Sequence, residues 1–112
     1  MLTKSEAVTI LRKVSRAFSE AFPGKLAEAY LYGSYARGDY GADSDVDILL
    51  TADIQPEEAM QYQKRLSAIN SDLSLEHDVT VSATVQPLSQ FKKYANVLPY
   101  YQNVLREGIR YA

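Results

Sequence analysis

The stretch LYGSYARGDYGADSDVDILL, Leu31 to Leu50, constrains the fold more than any other part of this chain. It opens on Gly33-Ser34 and, after ten intervening residues, closes on Asp45-Val46-Asp47. One apolar run leads into Gly33 and another follows Asp45, which predicts two strands joined by a polar connection. Side chains alternate between the faces of a strand. In a strand over Asp45 to Thr51, Asp45 and Asp47 project from one face, while Val46, Ile48 and Leu50 face a core. Two carboxylates held this close repel each other unless a cation lies between them. An oxygen-only donor set suits Mg²⁺ or Mn²⁺. Asp-x-Asp alone is more often a structural feature of a loop or strand end. Gly33-Ser34 upstream is what gives it weight. Glycine lets the backbone approach an anion, and a short helix over Ser34 to Arg37 would aim N–H groups and a hydroxyl at a phosphate.

The pattern reads Gly33, Ser34, Ala36, Arg37, Gly38, then Ser44, Asp45, Asp47 and the apolar Ile48-Leu49-Leu50. It resembles the nucleotidyltransferases of the DNA polymerase beta superfamily, and the chain length resembles the minimal nucleotidyltransferase branch. Arg106-Glu107-Gly108-Ile109 is similar to the tail of these small proteins. The resemblance implies an α+β fold: a small mixed β-sheet of three to four strands flanked by helices. It implies two Mg²⁺ ions (or Mn²⁺) on Asp45 and Asp47, with Gly33 and Ser34 gripping the phosphates of a nucleoside triphosphate, ATP favoured. Arg37 would add charge at the phosphates or fix the loop by pairing with a nearby Asp. In this branch the resemblance also implies pairing with an all-helical HEPN-type protein. The nucleotidyltransferase is then the antitoxin, moving AMP to a hydroxyl of the toxin. The other expectation is a non-catalytic antitoxin or accessory subunit that neutralises its partner by binding.

The chain has 112 residues, one domain, and is 46% hydrophobic. Its net charge of −2 offers no basic field for nucleic acid. Without Cys and with one His, thiolate and histidine metal sites and disulfide frameworks are excluded. No apolar run reaches membrane-spanning length. The opening MLTKSEAVTI lacks the apolar region of a signal peptide, so a cytoplasmic protein is expected.

Thr3 and Glu6 form a capping box before a helix over residues 4–22, which Pro23-Gly24 ends. Leu26 to Tyr32 is the first strand and residues 38–44 a turn-rich loop. Tyr35 and Tyr40 flank the site, where packing along the loop is favoured over stacking on a base. Pro56 starts a second long helix, with its apolar stripe running to about Leu73. Asp78 to Val85 reads as the third strand, with Val79, Val81, Ala83 and Val85 on one face. Asp78 begins its polar face. Beside the second strand it would complete a set of three carboxylates; the polymerase beta-like families use such a third acid, and the resemblance implies that Asp78 completes the catalytic metal's site and helps deprotonate the acceptor hydroxyl. Glu76 is the rival, and His77 points away. Two short helices follow, starting at Pro87 and Pro99, the second with Tyr100, Val104 and Leu105 as its stripe. Gly108 closes it, before a tail over Ile109 to Ala112. The aromatic end formed by Tyr94, Tyr100, Tyr101 and Tyr111 would suit a protein interface if exposed.

Overall fold

Thr3 caps the first helix as its sequence predicts. The Glu6 N–H donates to Thr3 Oγ1 at 3.1 Å, and the Thr3 N–H reaches Glu6 Oε1 at 3.4 Å. This computed structural model describes residues 2–111; Met1 and Ala112, the last residue of the expected tail, lie outside that description. Helix α1 covers Lys4–Ala21 and buries Ala7, Ile10, Leu11, Val14 and Phe18. Strand β1 (Leu26–Tyr32) follows, then the short helix α2 (Ser34–Arg37) and strand β2 (Val46–Ala52). Asp45 therefore precedes the second strand by one residue. Pro56–Glu58 makes a 3₁₀ turn into helix α3 (Ala59–His77), which leads to strand β3 (Val81–Pro87). Helices α4 (Leu88–Tyr94) and α5 (Pro99–Glu107) lead to the two-residue strand β4 (Ile109–Arg110).

The sheet has the order β3-β2-β1-β4. β1 pairs antiparallel with β2 and β4, and β2 pairs parallel with β3. The mixed sheet and flanking helices are the architecture expected. One sheet face carries Val46, Ile48, Leu50, Val81, Ala83 and Val85 and packs on α1 and α3 in the main core. The other face is also covered over part of its length. There Tyr30 and Leu49 pack with Phe91, Tyr101 and Val104 of α4 and α5. Tyr32, at the β1 C-terminus, packs against the edge of that second core, and Asp47 of β2 sits opposite it in register.

Three expectations change. Helix α3 runs about one turn past Leu73, so Glu76 and His77 are helical. Asp78 then ends the helix in the left-handed region (φ 52, ψ 48), its N–H donating to the Ser74 carbonyl. Asp tolerates this conformation better than most residues. The third strand consequently starts at Val81, not at Asp78. In α5 the buried side chains are Tyr101 and Val104, while Tyr100 and Leu105 are 40% and 47% exposed. Ile109-Arg110 adds a fourth strand where a tail was expected. Gly108 is required for closeness: a Cβ there would run into the backbone carbonyl of Val104 and press on that of Leu31. Among the described residues no helix is long and apolar enough to cross a membrane.

Strand β3 lies at the edge of the sheet, yet its outward backbone groups are paired, by side chains of α3. Asn70 Nδ2 donates to the Ala83 carbonyl at 3.0 Å, and the Ala83 N–H donates back to Asn70 Oδ1 at 3.2 Å. Gln63 does the same one position along, donating to the Ala83 carbonyl and accepting from the Val85 N–H at 3.0 Å. Ser74 Oγ accepts from the Val81 N–H at 2.8 Å. Asn70→Ala strands the Ala83 N–H beside a helix. It is expected to cost about 1–2 kcal/mol, read as a lower denaturation midpoint at unchanged m-value.

Candidate active site

The two halves of the motif meet through a glycine. β1 delivers Gly33 at its end in a backbone conformation (φ 77, ψ −156) that side-chain-bearing residues essentially never adopt. A Cβ built there would lie 2.5 Å from Asp47 Oδ2. The turn is therefore packed directly against the carboxylate that β2 presents, and the absent side chain is what lets them touch. The Gly33 carbonyl accepts from the Ala36 and Arg37 N–H groups at 3.1 and 3.0 Å, which fixes α2 and sets Ser34 as its first residue. Gly38 ends it in the left-handed region (φ 92).

Asp47 is half-buried and Asp45 exposed. Burial first, and the charge of Asp45 second, push the Asp47 carboxyl above its ordinary value; Arg37 pulls it partly back. A cation between the two carboxylates would relieve that repulsion. The chemistry of the donor set fits a divalent ion there.

Arg37 settles between its two expected roles. Its Nε donates to Asp39 at 3.2 Å, as one of them required, and its Nη1 donates to Glu107 of α5 at 3.1 Å. The hydrogen bond to Glu107 is the main reason the guanidinium is held above its usual value, and Arg37 in turn lowers the Glu107 carboxyl. Glu107 was not foreseen: it lies 70 residues away and no local pattern marks it. The same holds for Tyr100, whose hydroxyl lies 2.9 Å from that of Tyr32. Burial first, then this hydrogen bond, raises the Tyr32 phenol. Helix α5 is thus tied to the chain on both sides of Gly33-Ser34.

Asp78 lies ahead of β3 and not on it. From the end of α3 it lines a concavity of about 240 Å³ together with Asp43, Ser44 and Asp45, but it is exposed and precedes β3. Among the described residues no three Asp, Glu, His or Cys side chains come close enough to hold a metal. The position in register with Asp47 on β3 is Ser82. Its rival Glu76 is no closer, being paired with Lys13 at 3.1 Å. His77 Nε2 lies 3.1 Å from Lys13 Nζ. Tyr35 is 1% exposed and stacks on Tyr40 at 4.5 Å, so it is a core residue with no face for a base.

A glycine turn packed on the Asp47 carboxylate, at one end of a small mixed sheet, fits one class: a nucleotidyltransferase. The nucleotidyltransferase domain model matches residues 11–110, and the chain belongs to that family. It is a minimal nucleotidyltransferase of the polymerase beta superfamily. A Methanocaldococcus jannaschii relative provisionally named a protein adenylyltransferase, MJ0604, is 31% identical over 98 residues, which are 88% of this chain and 90% of that one. A Sulfolobus solfataricus crystal structure, provisionally named a nucleotidyltransferase, shares the fold with a TM-score of 0.59 at 20% identity, over 96% of this chain and 80% of that one. A toxin-antitoxin crystal structure with AMP-PNP shares it with a TM-score of 0.53 at 22% identity, over 97% and 72%.

Proposed function

We propose that this enzyme transfers a nucleoside monophosphate, AMP from ATP, to a hydroxyl of a partner protein. On this reading it is the cytoplasmic antitoxin of a pair whose toxin is a HEPN-type helical protein. The observation that supports the reaction is the close packing of Gly33 against Asp47, the arrangement a triphosphate held next to its cation would need. Protein as acceptor is supported by the name of the 31% identical relative. The toxin-antitoxin setting is supported by the fold shared with that complex.

In the mechanism, Asp45 and Asp47 would hold the divalent ions, Mg²⁺ by donor type. The chemistry such ions supply is neutralisation of the triphosphate and of the charge building on the leaving pyrophosphate. Gly33 and Ser34 would orient the β- and γ-phosphates through backbone N–H groups and a hydroxyl. Arg37, held by Asp39 and Glu107, braces the turn against α5 and leaves the phosphates chiefly to the backbone. The acceptor oxygen attacks the α-phosphorus as pyrophosphate departs.

The test is transfer from α-labelled ATP with Mg²⁺, with and without the candidate HEPN-type protein. Label on the partner, absent with Asp45→Asn, is the expected result. Tight association of the two proteins with no label from any nucleoside triphosphate would instead make this a binding antitoxin.

A further inference from the structure

Asp47 has one in-register neighbour on each side: Tyr32 on β1 and Ser82 on β3. In-register residues of adjacent parallel strands share a face and lie about 4.8 Å apart. Ser82 is exposed on the face that carries Asp47, while Val81 and Ala83 turn into the core. Across the reacting end of the sheet the order is therefore phenol, carboxylate, hydroxyl. The Tyr32 hydroxyl is taken up by Tyr100 at 2.9 Å. A serine hydroxyl does not accept a proton near neutral pH. Asp45 and Asp47 are committed to the cation. The acceptor hydroxyl must nonetheless lose its proton as it attacks, to a group within about 3 Å or one water away. No side chain in that row is suited to take it.

We propose that the acceptor protein supplies this missing group itself: a proton-accepting side chain, carboxylate or imidazole, seated over Ser82 beside the hydroxyl that is modified. The inference rests on the transfer reaction proposed above. As the acceptor oxygen bonds to the α-phosphorus, its proton passes to that side chain. The bond from the α-phosphorus to the bridging oxygen breaks and pyrophosphate leaves. Water and small alcohols bring no such group, so the neutral residue at position 82 makes the enzyme selective for a protein acceptor and spares ATP from hydrolysis.

The test is Ser82→Asp, with Ser82→Asn and Asp78→Asn as companions. A carboxylate at 82 is expected to tighten Mn²⁺ binding by the protein alone, without nucleotide, about tenfold or more. It is also expected to raise partner-independent conversion of ATP to AMP and pyrophosphate on the order of 10²-fold. Ser82→Asn should change neither, and Asp78→Asn should keep partner-dependent transfer. Unchanged Mn²⁺ affinity in Ser82→Asp would overturn the proposal. So would wild-type transfer to glycerol or water at the partner-dependent rate, or loss of transfer in Asp78→Asn. Failure of the underlying reaction reads differently: wild-type protein would bind no Mg²⁺–ATP, while Mn²⁺ binding to Ser82→Asp would still report whether position 82 stands beside the pair.

Discussion

Replacing Asp47 by Asn is expected to abolish nucleotidyl transfer and, at the same time, to stabilise the ligand-free protein. The loss should be on the order of 10³-fold or more, the scale on which removing a preorganised charged group slows an enzyme. The gain in stability comes from the same environment. Burial and Asp45 raise the Asp47 carboxyl in the folded state above its value in the unfolded chain. The folded state then holds that proton more tightly. The penalty grows as pH rises from the ordinary carboxylate value through the raised one, and it is full above it. Asn carries no charge and escapes it. Because Asp47 keeps some contact with water, the effect is discounted to roughly 0.5–1 kcal/mol, a rise in Tm of about 2–5 °C at neutral pH. Mn²⁺ binding by wild type should weaken as pH falls through the raised value, since the cation must displace the proton. An active Asp47→Asn enzyme would sink the site; an inactive one that melts below wild type at pH 7 would sink the account of the strain.

Gly33→Ala should slow the reaction sharply. Its φ of 77 and ψ of −156 cost a side-chain-bearing residue about 1–3 kcal/mol. The new methyl also meets Asp47 Oδ2 at 2.5 Å, so either the turn or the carboxylate must move. A displacement of about 1 Å at a reacting centre lowers rates about 10²-fold. The expected result, measured below the variant's own Tm, is a fall in kcat of that order with the fold retained. Gly24 is the control. Its φ is 78 but a Cβ there meets nothing, so Gly24→Ala should destabilise without touching kcat. Equal kcat for Gly33→Ala and wild type would mean that the Gly33–Asp47 contact has no part in the reaction.

Much of this was legible in the chain because it is local. Thr3 and Glu6 announce α1, Pro23-Gly24 ends it, and the alternation from Val46 to Leu50 states that Asp47 turns away from the main core. The third strand was misread at its start, where a helix ends. Leu75 continues the spacing of α3 weakly and Val79 continues that of β3 well, so alternation alone moved the strand start forward. The αL turn at Asp78 that separates the two elements has no mark but its residue type. The α5 stripe was misassigned for a related reason: Tyr100, Tyr101, Val104 and Leu105 offer two apolar faces, and only the position of Leu49 and Phe91 selects one. The ties from Arg37 to Glu107 and from Tyr32 to Tyr100 span 70 and 68 residues, beyond any local pattern.

The pairing of β3 with Gln63, Asn70 and Ser74 bears on how this molecule behaves in company. A bare outer strand is a template on which another chain can lay a strand of its own. Here the rim next to the catalytic strand is already occupied by a helix whose amides impersonate a neighbouring backbone, and an incoming segment finds nothing there to copy. Strand addition along this stretch of β3 is thereby disfavoured. Recognition on that flank falls to side chains, which can be selective where a naked backbone edge cannot.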